Sequence, residues 1–348
     1  MLKKMLLGRK LPGFLEREEM LEILQREEYG YLPPKPDKIS FETEDVKGAY
    51  HFCAGKAVLK KIWIITEIKG KEFRFPAYSV IPTKEGPHPF FVHINFRPDV
   101  PDKYMPTEEI VDNGFATLSF GYNDVTTDDN DFTNGFAGVL YPDGIRKNPT
   151  DPGKIAMWAW AAHRLMDYAE TNPLLDASKA FVCGHSRLGK TALLAAATDT
   201  RFALAYSNDS GCSGAAITRD KVGEDVFEIT KRFPYWFCEN YWKYQNLEHK
   251  MPFDQHFLMA SVAPRNIYVA SAVEDTWADP SSEFLNCVLT SEVFESQGHK
   301  GFVHHNRLPE GGEVYHDGDI GYHLREGQHY FSREDWNKAM EYIKKTLL

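Results

Sequence analysis

The sequence predicts an α/β protein: a mostly parallel central sheet with helices on both faces, a three-layer sandwich. Three observations point there. From about residue 88 onward, short apolar runs alternate with segments of helical spacing, as in strand–helix–strand crossovers. Two of those runs, Pro89–Phe96 (PFFVHINF) and Phe115–Phe120, read as buried strands. No linker, repeat or low-complexity stretch divides the 348 residues. One domain is therefore expected over 1–348, with 1–85 as an N-terminal extension carrying the first strands and 86–348 as the core of the fold.

Each element can be justified in turn. Residues 1–45 mix helical segments with a proline-rich turn, Leu32-Pro33-Pro34-Lys35-Pro36. Residues 57–70 and 72–82 read as a hairpin turning near Gly70-Lys71. Asn123–Asp151 is polar and glycine-rich with no period, so it is expected to be a long loop, and such loops are commonly functional. Lys154–Ala169 has helical spacing and a broad apolar face that should pack on the sheet. Ala180–Cys183 then reads as a strand, Leu188–Thr198 as a helix, Ala203–Ser207 as a strand. Residues 212–263 hold short helices and many aromatics without a sheet pattern. Ile267–Ala272 reads as a strand, Ser281–Gln297 as a helix and Phe302–Asn306 as a last strand. Ser332 and Asp335 open the final helix as a capping-box variant.

Composition excludes some functions. A net charge of −10 with no basic stretch argues against nucleic-acid binding. No run approaches the roughly 20 apolar residues of a membrane span, and the apolar part of MLKKMLLGRKLPGF is too short for a signal peptide. A cytoplasmic location is expected, or a secreted one if a leader has been removed. Five cysteines, Cys53, Cys183, Cys212, Cys238 and Cys287, are widely spaced, carry no metal pattern and read as free buried thiols. Aromatic residues are 14% of the chain, which suits core filling and sugar- or aryl-lined loops equally.

The chemistry concentrates between Ala180 and Thr198. An apolar strand runs into Gly184-His185-Ser186-Arg187-Leu188-Gly189, and an alanine-rich helix follows. A hydrolase nucleophile sits on such a strand-to-helix turn, where flanking glycines make room and the helix N-terminus favours developing negative charge. The spacing is one residue longer than Gly-x-Ser-x-Gly, and a plain capping serine is the structural alternative. A serine nucleophile needs a histidine base and an acid to orient it, in the chain order serine, acid, histidine. His329 lies between the last strand and last helix, where the base belongs. His323 is its rival, and His304 and His305 read as structural. Asp275 follows a strand at the place expected of the acid, and Asp209 is a second candidate. Asp279 reads as the cap of the next helix.

Taken together, G-H-S-R-L-G-K, S-N-D-S-G-C-S-G-A-A, A-P-R, E-D-T-W-A-D-P and G-Y-H-L-R-E-G-Q-H resemble, in this order, the glucuronoyl esterases of carbohydrate esterase family 15, over residues 85–345. The resemblance implies an α/β-hydrolase fold and a serine esterase. The implied reaction cleaves the ester between the (4-O-methyl-)glucuronic acid of glucuronoxylan, or its oligosaccharides, and lignin-type alcohols, without metal or organic cofactor. Carried over by position, it makes Ser186 the nucleophile and His329 the base. Arg187 supports the oxyanion, Lys190 bonds sugar hydroxyls, Trp277 packs on the sugar and Glu224 contacts the uronate. The family commonly has Glu at the position of Asp209 as the acid, while some bacterial members use Asp at the position of Asp275. Asp275 is favoured here, with Asp209 as the alternative. Fungal members carry a disulfide-bonded Cys before the serine. His185 stands there instead, as in bacterial members, so that disulfide should be absent.

The resemblance also explains two cations beside the serine. A guanidinium aimed at the carbonyl oxygen strengthens as charge develops, and Lys190, one turn on, faces the same cleft. An acetyl xylan esterase or general carboxylesterase would not need Arg187, Lys190 and Trp277. A non-catalytic carbohydrate-binding protein on the same fold would have no use for the set Ser186, Asp275 and His329.

Overall fold

A computed structural model describes residues 1–348. Ten strands form one sheet: β1 (Lys38–Asp45), β2 (Ala57–Ile68), β3 (Lys71–Pro82), β4 (His88–Asn95), β5 (Ala116–Gly121), β6 (Leu175–His185), β7 (Phe202–Asn208), β8 (Asn266–Ala272), β9 (Val314–Tyr315) and β10 (Ile320–Arg325). Their order is β1-β2-β3-β5-β4-β6-β7-β8-β10-β9. The six central strands, from β5 to β10, pair in parallel, and the flanking pairs are antiparallel.

The period of two in the central strands sorts side chains into two cores. Phe90, Val92 and Ile94 of β4, with Ala180 and Val182 of β6, face a large cluster shared with the helices Lys154–Ala169, Arg187–Thr198 and Pro280–Ser296. Phe91, Phe181, Cys183, Leu204, Tyr206 and Tyr268 face the opposite side. There they meet Trp336, Met340 and Ile343 of the last helix, Arg333–Thr346. Burial on both faces is what makes these strands continuously apolar. No helix is long and apolar enough to cross a membrane.

Some elements differ from the sequence reading. Phe302–Asn306 is not a strand. Its Phe302 N–H bonds Ser291 Oγ at 2.8 Å, and the strand beside β8 is β10, which carries His323 and Arg325 inside the protein. Those two polar side chains disguised it. Asp335 compensates for their burial, accepting from His323 Nε2 at 2.9 Å and from Arg325 Nε at 3.0 and 2.9 Å. Burial would push the Asp335 carboxyl up, but the bond from His323 and the charge of Arg325 bring it below its usual value. Asp335 also completes the capping box with Ser332. β1 was hidden because it is an exposed, charged edge strand. The helix Lys154–Ala169 is buried on every side except at Asp167, not on one face alone. The segment after β5, expected as one long loop, holds two short helices, Tyr122–Val125 and Gly135–Leu140, and covers it; Lys154 Nζ donates to Thr126 Oγ1 and Asp131 O of that segment, each at 2.7 Å. All five cysteines are unpaired, four of them buried and Cys53 half-buried.

Near the N-terminus a π-helical turn, Gln25–Tyr29, drives Glu28 into the interior. Gln255 Nε2 donates to it, 3.0 Å from both carboxylate oxygens. Burial raises its pKa from 4.5 to about 8. The sign follows from proton counting. Between those two values the folded state holds a proton that the unfolded state releases, so this contribution is complete below about pH 4.5 and is lost as pH rises through about 8. Glu28→Gln is expected to flatten the stability–pH curve over that window by up to about 1.4 kcal/mol per pH unit. Urea unfolding at a series of pH values checks this, and an undiminished slope in the variant would contradict it.

Candidate active site

The C-terminal ends of β6, β7, β8 and β10 converge on a cavity of about 330 Å³. Ser186, Arg187, Lys190, Asp209, Glu224, Asp275, Trp277 and His329 all line it, so the eight residues given a role by the resemblance meet there, whereas the rival base His323 does not.

Ser186 follows β6 with φ 57° and ψ −126°, a backbone conformation that non-glycine residues adopt only under strain. Gly184 and Gly189 make the turn possible. A Cβ on Gly184 would lie 2.2 Å from Leu188 O, and one on Gly189 would lie 3.0 Å from Ser210 Cβ. Although Ser186 occupies the N-cap position, its side chain makes no capping bond, which removes the structural explanation for a serine here. Gly189 and Lys190 N–H already bond Ser186 O, at 2.9 and 3.2 Å, so at this helix start the amides left without an intrahelical acceptor are those of Arg187 and Leu188.

His329 lies four residues past β10, on the segment leading to the last helix. Its Nδ1 is 2.6 Å from Asp275 Oδ2, which assigns the proton to Nδ1 and leaves Nε2 as the basic nitrogen. Asp275 is buried, whereas the His329 side chain is 43% exposed and open to the cavity. No hydrogen bond joins Ser186 Oγ to the ring; contacts of this kind commonly tighten once substrate is bound. His185 packs against His329 with ring centroids 4.4 Å apart and is held by Asn208 Oδ1 at 2.6 Å. Burial, with the neighbouring His329, lowers its pKa to about 3, so it stays neutral. His323 is buried between Tyr268 and Asp335, and His304 and His305 lie in the segment that is not a strand.

Asp209 sits close by, with one ligand atom each from Asp209, Asp275 and His329 mutually within 4.8 Å. That spacing would also suit a cation. Arg325 already places its guanidinium 3.3 Å from Asp209 Oδ2, however, so the three groups read as an acid–base cluster. Asp209 Oδ1 has no hydrogen-bond partner. Burial, reinforced by the charge of Glu283, raises the Asp209 pKa well above the carboxylate range. Asp279 caps the helix Pro280–Ser296 through Ser282 N–H, as its sequence context suggested.

The two cations are built in differently. Arg187 is ion-paired to Asp128, and its guanidinium lies over the Trp236 ring at 4.6 Å. Lys190 is buried; its Nζ donates to Ser210 O and lies 3.9 Å from Glu224 Oε2. Burial lowers its pKa, partly offset by Glu224. Trp277 is 43% exposed at the rim, with Arg232 over its ring at 4.9 Å.

The matching family model describes fungal glucuronyl esterases and covers residues 64–298, well over half of the chain. The chain belongs to the glucuronoyl esterase family. A glucuronoyl esterase from Solibacter usitatus superposes with a TM-score of 0.87 at 30% identity, covering 97% of this chain and 100% of that one. The carbohydrate esterase MZ0003, from an unidentified prokaryote, is 41% identical over 240 residues, 68% of this chain and 54% of its own length. The 4-O-methyl-glucuronoyl methylesterase of Podospora anserina is 28% identical over 293 residues, 81% of this chain and 56% of its own length. The chain thus spans about half the length of these curated relatives. Its central sheet is the α/β-hydrolase sheet of the glucuronoyl esterases.

Several residues in or beside the cavity carried no sequence signal. Asp128 is one of several acids in a polar loop. Arg232, Phe233 and Trp236 lie in the aromatic-rich stretch 212–263, read from the sequence only as short helices without individual bounds. Glu283 sits behind the cavity and joins the two acid-bearing segments, accepting from Gly211 N at 2.8 Å and from Ser271 Oγ at 2.5 Å. Burial raises its pKa to about 7. Its spacing from Asp279, one helical turn, was visible, but its inward direction was not.

Proposed function

We propose that this protein is a glucuronoyl esterase, a serine carboxylic ester hydrolase acting on carbohydrate esters of glucuronic or 4-O-methyl-glucuronic acid with lignin-type alcohols. One observation carries the reading. A strained serine and an Asp–His pair share a cavity with a buried Lys190–Glu224 pair and an indole wall. The first group is chemistry for an ester; the second is recognition for a hydroxylated ring.

In the proposed mechanism His329 Nε2 takes the proton of Ser186 Oγ as the oxygen attacks the ester carbonyl. Asp275 stabilises the imidazolium through Nδ1–H. The Arg187 amide and guanidinium receive the oxyanion, where such donors act most strongly as charge develops. Collapse expels the alcohol, which takes the proton from His329, and leaves a uronoyl ester on Ser186. Water then attacks through the same base, releasing the uronic acid. Lys190 and Glu224 hold ring hydroxyls, and Trp277 covers an apolar face of the sugar.

Sugar contacts made equally in ground and transition state appear in KM. Lys190→Met, which keeps the buried stem, is therefore expected to raise KM for benzyl glucuronate about 10- to 100-fold. An aryl acetate should be hydrolysed almost unchanged. Steady-state kinetics on both substrates decides the matter. Equal losses would remove Lys190 from sugar recognition, and a parent enzyme that prefers the acetate would favour a general carboxylesterase.

A further inference from the structure

The Arg187 guanidinium is caged. Besides the Trp236 ring at 4.6 Å, it has Phe233 at 5.3 Å and Phe96 at 5.6 Å. One edge, through Nη1, is paired with Asp128 Oδ2. Nε has no partner. Asp128 is held in its turn. Its Oδ1 accepts from Trp236 Nε1 at 2.6 Å and its Oδ2 from Tyr122 Oη at 2.9 Å. Its own N–H donates to Asn123 Oδ1 at 2.9 Å, and its carbonyl accepts from Tyr235 Oη at 3.0 Å. The Asp128 side chain is only 10% exposed.

We propose that Asp128 is a positioning residue for the reaction: it fixes one edge of Arg187 so that the other edge stands ready for the oxyanion. This rests on the proposed role of Arg187. The physical case concerns reorganisation. A long arginine side chain loses much rotamer freedom when immobilised. If it had to be ordered at the moment of reaction, that cost would fall on the transition state. Trp236 and Tyr122 are neutral donors, so they pin the carboxylate without supplying a rival cation. The charge opposite Asp128 is therefore Arg187 alone among its side-chain partners. A donor preorganised in this way acts in kcat rather than KM.

The test is a double-mutant cycle. Asp128→Asn is nearly isosteric but turns an amide or a weaker acceptor toward Arg187. It is expected to lower kcat about 10- to 100-fold on both benzyl glucuronate and an aryl acetate, with KM changed less than about threefold. In an Arg187→Ala background the same substitution should cost less than about threefold. Tyr122→Phe removes one hydroxyl from the same carboxylate oxygen and serves if Asp128→Asn does not fold. Its smaller loss, about two- to tenfold, should likewise vanish without Arg187. Equal losses in both backgrounds would mean that Asp128 only shapes the loop, and would overturn the proposal. An undiminished kcat in Arg187→Ala itself would instead overturn the oxyanion role of Arg187, and the positioning role with it.

Discussion

Ser186→Ala is expected to lower kcat on a glucuronate ester by about five to six orders of magnitude, since removing a nucleophile disables the whole relay. The fold should survive. The side chain makes no capping bond, and alanine at φ 57° is strained no more than the serine it replaces. Matched thermal unfolding with loss of turnover and of fluorophosphonate labelling would support the assignment. Activity within tenfold of the parent would refute it.

Asp275→Asn should be the next most severe change. Asn at 275 no longer stabilises the imidazolium and can hold the ring in the wrong tautomer, a loss of about 10³- to 10⁴-fold in kcat. Asp209→Asn should cost less than about tenfold. Asp209 makes no hydrogen bond to His329; its carboxylate faces Arg325 instead, and burial raises its pKa. Its bonds come from Arg325 and the Tyr330 N–H, which suits a structural tie between β7 and the His329 segment. The pH–rate profiles of both variants would decide. The reverse ranking would make Asp209 the acid, and equal modest losses would mean that the two share the task.

Legibility in the sequence followed the range of the interaction. The parallel core was legible because residues such as Phe90–Ile94 are apolar on both faces. The serine turn was legible because strand, glycines and helix are contiguous. His329 and Asp275 could be placed because each follows a strand, although the strand before His329 was misplaced: β10 carries His323 and Arg325, whose burial depends on Asp335 of another element. Asp128 was not legible for the same reason. Nothing in its polar neighbourhood says that Trp236 and Arg187 will close on it from 108 and 59 positions away. Glu28 was hidden by a π-helical turn, whose extra residue rotates the helix out of the expected period.

The conformation of Ser186 has a consequence for how this sequence can change. At φ 57° and ψ −126° glycine would be the more comfortable residue, so the backbone here is at odds with the side chain the proposed chemistry requires. Stability and turnover pull in opposite directions at this single position. A laboratory selection for heat tolerance alone would favour glycine at 186 and discard the proposed nucleophile, whereas one that also scores ester cleavage would hold the serine and gather its stabilising substitutions elsewhere in the chain.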